Sequence, residues 1–324
     1  MTALRPLALA VLLLTATVGC AGGSGSDATA APTSTAAARS TTAPDEPDET
    51  TSTTTEVPEL PADRPIDVHV PPSYRSATPA PLIVLLHGFG ANGEVQSAYL
   101  GMEKAVDAAG ALYVHPDGTQ NKIGKQFWNA TDACCAGPVT KDVDDSAYLA
   151  AVIATVRSQY SVDPRRIYVM GHSNGGFMSY RMACDHADVI AAVASIEGAT
   201  FADPEACSPS EPVAALEIHG TGDKTIGYDG GKIAGVAYPS ATETVETWAA
   251  YNGCDLTPDD PAPPARDLVA GLAPATVTAY TTGCEPGGAA ELWTQPDGTH
   301  IPIWSPTFAT QVVGWLLDHP KPAS

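Results

Sequence analysis

The chain has 324 residues, of which 44% are hydrophobic and 16% are charged, and this balance is typical of a soluble globular protein. Its formal net charge of -21, from 16 basic and 37 acidic residues, argues against nucleic acid or an anionic membrane surface as a partner. Solubility is a sufficient explanation of the acidic excess.

Residues 1–19 predict an export signal. Arg5 precedes an apolar run, Leu7–Leu14, that is too short to span a bilayer as a mature helix. The segment ends at Gly19-Cys20, which resembles the lipobox of bacterial lipoproteins, in which the cysteine becomes the lipidated N-terminus. We therefore expect an exported protein that is extracellular or anchored to the outer face of the cell membrane, with Cys20 as its sole membrane attachment. The alternative is ordinary secretion, with Cys20 removed or left as a thiol.

Residues 20–61 are mainly Ala, Thr, Ser, Pro, Gly, Asp and Glu, so they contain few side chains that could build a core. This composition predicts a disordered tether. Residues 62–320 then form one folded domain, because this length is usual for a single α/β domain with a full core. We expect that domain to be a monomer.

The folded part begins with strand signals. Residues 66–71 alternate apolar and polar side chains and predict an antiparallel strand, whereas residues 81–87 are continuously apolar and predict a buried strand. A helix over about 97–109 and a strand at 111–114 follow. Together they predict one βαβ unit.

An irregular stretch, Gln126–Cys135, separates this unit from the next helix, predicted over 146–160. Its Trp128 either lines a substrate pocket or fills space beneath a loop. Asp142, Asp144 and Asp145, just before that helix, suit the positive end of a helix dipole better than a metal site.

The hexapeptide Gly171–Gly176 contains Gly-His-Ser-Asn-Gly, which matches the Gly-x-Ser-x-Gly nucleophile elbow. A chain rich in glycine can contain this pattern by chance. However, residues 166–170 predict a buried strand before it and residues 177–183 predict a helix after it. This strand-turn-helix setting favours Ser173 as a nucleophile.

Further strands are predicted at 189–195, 212–219, 276–280 and 290–294, and helices at 241–251 and 306–317. Strands that alternate with helices predict an α/β protein with a mostly parallel central sheet flanked by helices. With the elbow, the pattern predicts the α/β-hydrolase fold in a single domain.

In this fold the nucleophile is followed along the chain by an acid and then by a histidine. Asp223 lies just beyond a predicted strand, where such sheets gather catalytic side chains, and the Gly-Thr-Gly turn before it frees its backbone. Glu197, after the preceding strand, is the rival acid. Of the histidines that follow, His300 lies in a loop after a strand and His319 trails the last helix. The predicted triad is therefore Ser173, Asp223 and His300.

The loop after residues 81–87 reads His-Gly-Phe-Gly, and glycines there let backbone approach a reacting carbonyl. We expect the backbone N–H groups of Phe89 and Asn174 to form an oxyanion hole. The alternative is a simple glycine-rich turn. This chemistry requires no cofactor, and the sequence has no zinc-type cysteine spacing, so no metal is expected.

The chain has seven cysteines, and an even set remains once Cys20 is assigned to lipid. In an exported protein these six predict disulfides. The neighbours Cys134 and Cys135 are poorly placed to join each other, so each is expected to take a separate partner. Cys254 with Cys284 is the first choice, which leaves Cys184 and Cys207 for the adjacent pair.

Motifs across residues 65–317 resemble the extracellular polyhydroxybutyrate depolymerase and feruloyl esterase family. They are His87-Gly88-Phe89-Gly90, Trp128-Asn129, Cys134-Cys135, Gly171-His172-Ser173-Asn174-Gly175, His219-Gly220-Thr221-Gly222-Asp223, Tyr251-Asn252-Gly253-Cys254 and His300. The resemblance implies a serine esterase that cuts polyester or hydroxycinnamoyl ester bonds, in a polymer or in a small molecule. The family tends to have Trp-Pro two residues after its histidine, whereas Ile301-Pro302-Ile303-Trp304 stands here. Since that segment borders the acyl or alcohol pocket in the family, the departure bears on substrate choice more than on catalysis.

We expect His87, Trp128 and Trp304 to contribute to the substrate pocket. Two alternative functions share this fold. One is acyl transfer to a cell-wall carbohydrate, which differs from hydrolysis only in the acceptor. The other is a non-catalytic binding module anchored to the envelope.

Overall fold

The computed structural model describes residues 59–135 and 142–323. The predicted export signal, the predicted lipid attachment at Cys20 and most of the predicted tether lie outside these residues and stay predictions. Within the two described ranges, no helix is both long enough and apolar enough to cross a bilayer.

The secondary structure alternates between strands and helices over most of its length. The strands are β1 (Val68–His69), β2 (Ala80–Leu86), β3 (Leu112–Val114), β4 (Thr119–Gln120), β5 (Gln126–Phe127), β6 (Val162–His172), β7 (Ala192–Ile196), β8 (Ala214–Gly220), β9 (Gly231–Ile233), β10 (Val236–Tyr238), β11 (Thr276–Tyr280) and β12 (Ala290–Gln295). The α-helices are α1 (Gly93–Leu100), α2 (Met102–Ala109), α3 (Asp145–Gln159), α4 (Asn174–Asp185), α5 (Ala241–Tyr251) and α6 (Phe308–Leu317).

One sheet of 8 strands organises the domain, in the order β1-β3-β2-β6-β7-β8-β12-β11. Every inner pairing is parallel, from β3–β2 to β8–β12. The edge strands β1 and β11 are antiparallel to their neighbours. Because parallel strands run in one direction, the loops that leave β2, β6, β7 and β8 emerge at the same edge of the sheet.

The sheet has an apolar core on each face. Every residue of β2 is buried, and successive side chains point to opposite faces. Leu82 belongs to one core cluster with Phe177 of α4 and Trp248 of α5, whereas Ile83 belongs to the other with Met102 of α2 and Trp315 of α6. Helices therefore cover both faces, which explains why this strand is apolar at every position.

The structure confirms the predicted α/β-hydrolase architecture and differs in detail. The helix predicted over about 97–109 is two helices, α1 and α2, because Gly101 adopts a left-handed conformation with φ 69° and ends the first. Two hairpins, β4–β5 and β9–β10, were not predicted, since such short strands carry little periodicity.

All six remaining cysteines form disulfides, and the predicted pairing of Cys134 and Cys135 with Cys184 and Cys207 is wrong. The bond between Cys254 and Cys284 is confirmed. Cys184 pairs with Cys207, with Cα atoms 5.7 Å apart, a usual span for a disulfide. Since these two bridge each other, Cys134 and Cys135 join as a vicinal disulfide, contrary to the prediction of separate partners.

Candidate active site

The elbow is the sharp turn between β6 and α4. Ser173 stands between them with φ 55° and ψ -120°, a conformation that L-residues rarely adopt. A Cβ on Gly171 would lie 2.2 Å from the carbonyl oxygen of Gly175, and a Cβ on Gly175 would lie 2.2 Å from that of Leu86. Both positions therefore require glycine, and the turn presents Ser173 at the N-terminus of α4.

The structure brings the three residues of the predicted triad together. Nδ1 of His300 lies 2.7 Å from Oδ2 of Asp223, and Nε2 of His300 lies 3.0 Å from Oγ of Ser173. The other carboxylate oxygen of Asp223 accepts hydrogen bonds from the N–H groups of Thr225 and Ile226, at 2.7 and 3.1 Å. The loop after β8 therefore fixes the acid, and the acid faces the imidazole.

The rival acid also faces this imidazole. Oε2 of Glu197, the residue after β7, lies 3.2 Å from Nδ1 of His300, compared with 2.7 Å for Asp223. Glu197 is 1% exposed and has φ 54°. The chain thus places two buried carboxylates at one ring nitrogen.

These contacts shift the pKa values of the central pair in opposite directions. Burial alone would raise the pKa of Asp223, but its hydrogen bond and attraction to His300, with two backbone N–H donors, outweigh burial and lower it. Burial alone would lower the pKa of His300. Hydrogen bonds and attraction to Asp223 and Glu197 outweigh that effect and raise it to about 9.

The two residues expected to form the oxyanion hole lie beside the nucleophile. Asn174 is the first residue of α4, so its N–H has no acceptor within the helix. Phe89 lines the same cleft as Ser173 and His300. Oε1 of Gln96 accepts from the N–H of Gly88 at 3.0 Å and holds the loop that carries Phe89.

The side chain of Asn174 has a separate structural role. Its Oδ1 accepts from the N–H of Trp128 at 2.7 Å, and its Nδ2 donates to the carbonyl oxygen of Trp128 at 2.9 Å. The indole N–H of Trp128 donates to the carbonyl oxygen of His87 at 2.9 Å. The irregular stretch before α3 is therefore fastened to the elbow and to the loop after β2.

None of the three predicted pocket residues lines the cleft. His87 and Trp128 are fully buried beneath it, because their polar groups are used in the hydrogen bonds that hold the loops. Trp304 stacks on Phe308 with ring centroids 3.9 Å apart and borders a neighbouring groove. The cleft itself has a volume of about 520 Å³. Its lining residues are Gly88, Phe89, Ala91, Val95, Gln96, Tyr99, His172, Ser173, Thr225, His300 and Ile301.

Two further residues hold the loop that carries His300, and no motif in the sequence predicts this role. Nε2 of His172 donates to the carbonyl oxygen of His300 at 2.8 Å. The hydroxyl of Tyr99 donates to the carbonyl oxygen of Pro302 at 2.9 Å. His172 occupies a variable position of the elbow pattern, and Tyr99 lies in the helix α1. Their contacts with the His300 loop can therefore be seen only in the three-dimensional structure.

A buried polar pair supports the loop of Asp223. Nδ1 of His219 lies 2.9 Å from Oε1 of Glu217, and Nε2 of His219 lies 2.9 Å from the carbonyl oxygen of Ile226. A carbonyl only accepts, so Nε2 carries a proton and donates it. Burial lowers the pKa of His219, but the hydrogen bond and charge of Glu217 outweigh burial and raise it. His219 thus ties the end of the acid loop to β8.

Among the described residues, one trio could supply three metal-ligating atoms within 4.8 Å of one another, namely His172, Glu197 and His300. However, Nε2 of His172 donates to a carbonyl oxygen, and both nitrogens of His300 face Ser173 and Asp223. These atoms are already used in the hydrogen-bond network, so the trio is poorly suited to a metal.

The order of strands, the helices on both faces and the elbow after β6 define an α/β-hydrolase. Solved structures support this class. An acetyl xylan esterase from Aspergillus awamori superposes with a TM-score of 0.57 at 15% identity, over 81% of this chain and 97% of that one. A Bacillus cereus carboxylesterase gives 0.52 at 12% identity, over 80% and 95%.

The chain belongs to the putative esterase family, whose model matches residues 58–269. Feruloyl esterase B of Piromyces equi is 31% identical over 208 residues, which are 62% of this chain and 38% of that protein. Putative esterase NocK of Nocardia uniformis subsp. tsuyamanensis is 30% identical over 197 residues, which are 57% of this chain and 55% of that protein. The chain thus matches less than two thirds of the length of each relative. The resemblance to feruloyl esterases is confirmed.

Proposed function

We propose that this protein hydrolyses carboxylic esters with Ser173 as nucleophile, His300 as general base and acid, and Asp223 as the carboxylate that orients the imidazole. The observation that carries the proposal is the continuous chain of contacts from Asp223 through His300 to Ser173, at 2.7 and 3.0 Å. Membership of the esterase family supports it independently.

The geometry suits a two-step reaction. Oγ of Ser173 attacks the ester carbonyl while its proton passes to Nε2 of His300, and the backbone N–H groups of Phe89 and Asn174 bind the oxyanion. His300 then returns the proton to the leaving alcohol. Water attacks the acyl-enzyme by the same route and releases the acid, so no cofactor takes part.

We propose hydroxycinnamoyl esters as the substrate class, and hydroxybutyrate oligomers as the alternative. The cleft presents apolar side chains beside the nucleophile, among which Phe89, Val95 and Ile301 are 50%, 57% and 69% exposed. An aromatic acyl group would cover these side chains and remove them from water. Relatives named feruloyl esterases support the choice.

We also propose that the domain over residues 62–320 acts outside the cell, released or held by lipid at Cys20 through the residue 20–61 tether. The support is the apolar run and Gly19-Cys20 of residues 1–20. The disulfides within the domain fit an oxidising compartment.

A substrate panel with a covalent probe tests the proposed activity. We expect a fluorophosphonate to label Ser173 and to abolish turnover. Methyl ferulate and p-coumarate are expected to give kcat/KM values about 10-fold or more above those of hydroxybutyrate oligomers, which corresponds to about 1.4 kcal/mol of extra transition-state binding. Absence of labelling would favour the binding module, and ester formation with an added sugar would favour acyl transfer.

The pH dependence gives a further prediction. Protonated His300 cannot accept the proton of Ser173, and its pKa is raised to about 9. We therefore expect kcat/KM for p-nitrophenyl acetate to rise about 10-fold per pH unit between pH 7 and 8.5 and to level off above 9. The measurement is the initial rate at each pH, from which the rate of the Ser173→Ala enzyme is subtracted. A profile that is flat above pH 7 would contradict it.

A further inference from the structure

The residue after β7, Glu197, is not needed for a triad, yet its side chain points at the triad. Glu197 is 1% exposed, and its Oε2 makes no well-aligned hydrogen bond within the described part of the chain. A buried carboxylate oxygen without a partner is costly and requires a compensating charge. The nearest candidate is Nδ1 of His300, at 3.2 Å.

The backbone holds Glu197 in a conformation that aims it there. Its φ of 54° is unusual for a residue with a long side chain, and its N–H donates to the carbonyl oxygen of Ile218 at 2.8 Å. The strand pairing of β7 with β8 therefore continues past the end of β7. Strain of this kind persists where the surrounding fold imposes it, and it is concentrated at functional sites.

From this geometry we infer that Glu197 is a second carboxylate of the triad. Together with Asp223 it orients the imidazole of His300 and stabilises the protonated form. The inference rests on the proposed esterase function. The Nδ1–H proton stays on the imidazole and points at Asp223, while Oε2 of Glu197 flanks it. When Nε2 takes the proton of Ser173, both carboxylates stabilise the imidazolium.

The charged and titratable neighbours of His300 come from four elements. They are Asp223 after β8, Glu197 after β7, His172 at the end of β6 and Tyr99 of α1, which lines the same cleft and contacts the ring of His172. His219 lies 3.7 Å from Asp223. Nε2 of His172 lies 3.8 Å from Glu197 but donates to a carbonyl oxygen. Among these neighbours, the two carboxylates alone face Nδ1, so removal of either leaves the other in place.

This arrangement predicts two separable effects. Loss of the Glu197 charge should lower the pKa of His300, so the rise of kcat/KM should move to lower pH by about one unit. Glu197 should also help to keep the imidazole of His300 in the tautomer that carries its proton on Nδ1. In a triad with one acid, exchange of Asp for Asn costs roughly 10⁴-fold in kcat because Nδ1–H loses its acceptor.

The experiment is a double-mutant cycle with pH profiles of kcat/KM on p-nitrophenyl acetate. Glu197→Gln is expected to shift the profile down by about one pH unit. Asp223→Asn alone is expected to lose only about 10- to 100-fold, because Glu197 still accepts from Nδ1–H, and the double variant about 10⁴-fold. Glu291→Gln is the matched control, because Glu291 is 8% exposed, accepts from Trp293 and should leave the profile unchanged.

Two results would overturn the inference: a wild-type pH profile in Glu197→Gln, or a full 10⁴-fold loss in Asp223→Asn without a further loss in the double variant. If Glu197→Gln does not fold, Glu197→Asp is the second variant. Its side chain is one methylene shorter, so the charge lies farther from Nδ1 and the profile should shift to lower pH by less than about one unit. Wild-type activity no higher than that of Ser173→Ala would instead reject the proposed function, so the two failures are distinguishable.

Discussion

Replacement of Ser173 with alanine is expected to lower kcat for ester hydrolysis by roughly 10⁴- to 10⁶-fold, the range found when a triad nucleophile is removed. The physical reason is that no acyl-enzyme can form. The side chain is small and partly exposed at the turn, so the fold should remain. The measurement is kcat on p-nitrophenyl acetate, with circular dichroism to show that the variant is folded.

The histidines provide the matched pair for this test. His300→Ala should lose about as much as Ser173→Ala, and the double variant should lose no more, because the two groups act as one unit. His319→Ala should keep full activity, since His319 lies beyond the end of α6 and its Nδ1 faces the carbonyl oxygen of Trp315, 2.7 Å away. Substantial activity in Ser173→Ala would reject the proposed nucleophile.

The main elements of the fold could be predicted because burial imposes a pattern on the sequence. The segment that became β2 is apolar at each position, since both faces of the sheet are covered by helices. The triad residues could be proposed because the fold fixes their chain order and places the loops of parallel strands at one edge. Ser173 and His300 are 127 positions apart and still lie in contact.

Other features depend on contacts that the sequence does not encode locally. The prediction placed Asp223 and Glu197 in competition for one role, whereas the structure brings both to His300. Their spacing depends on the pairing of β7 with β8 and on the φ of Glu197. Likewise, His87 and Trp128 flank glycine and asparagine motifs that suggest a pocket, but their polar atoms satisfy buried backbone groups instead.

The loss of Asp145 is expected to have a large effect on stability. Asp145 is fully buried at the start of α3, and its carboxylate accepts from Arg64 at 2.8 Å, from Thr119 at 2.9 Å and from the N–H of Asn129 at 2.8 Å. Alanine would remove an acceptor shared by three donors, and it would leave the largely buried guanidinium of Arg64 without its carboxylate. We expect Asp145→Ala to lower the free energy of unfolding by about 3–5 kcal/mol, measured by urea denaturation with disulfides intact.

The neighbouring Asp144 gives the control. It is exposed and caps α3 by accepting from the N–H of Ala147 at 2.9 Å, so Asp144→Ala should cost only about 1 kcal/mol. Arg64→Met combined with Asp145→Asn should cost less than the sum of the two single changes, since much of each loss comes from the partner left unpaired. Because Asn129 adjoins Trp128, which is bonded to Asn174 of the elbow, Asp145→Ala should also reduce activity at temperatures well below its unfolding midpoint. Equal costs for Asp145→Ala and Asp144→Ala would show that Asp145 acts only at the helix start.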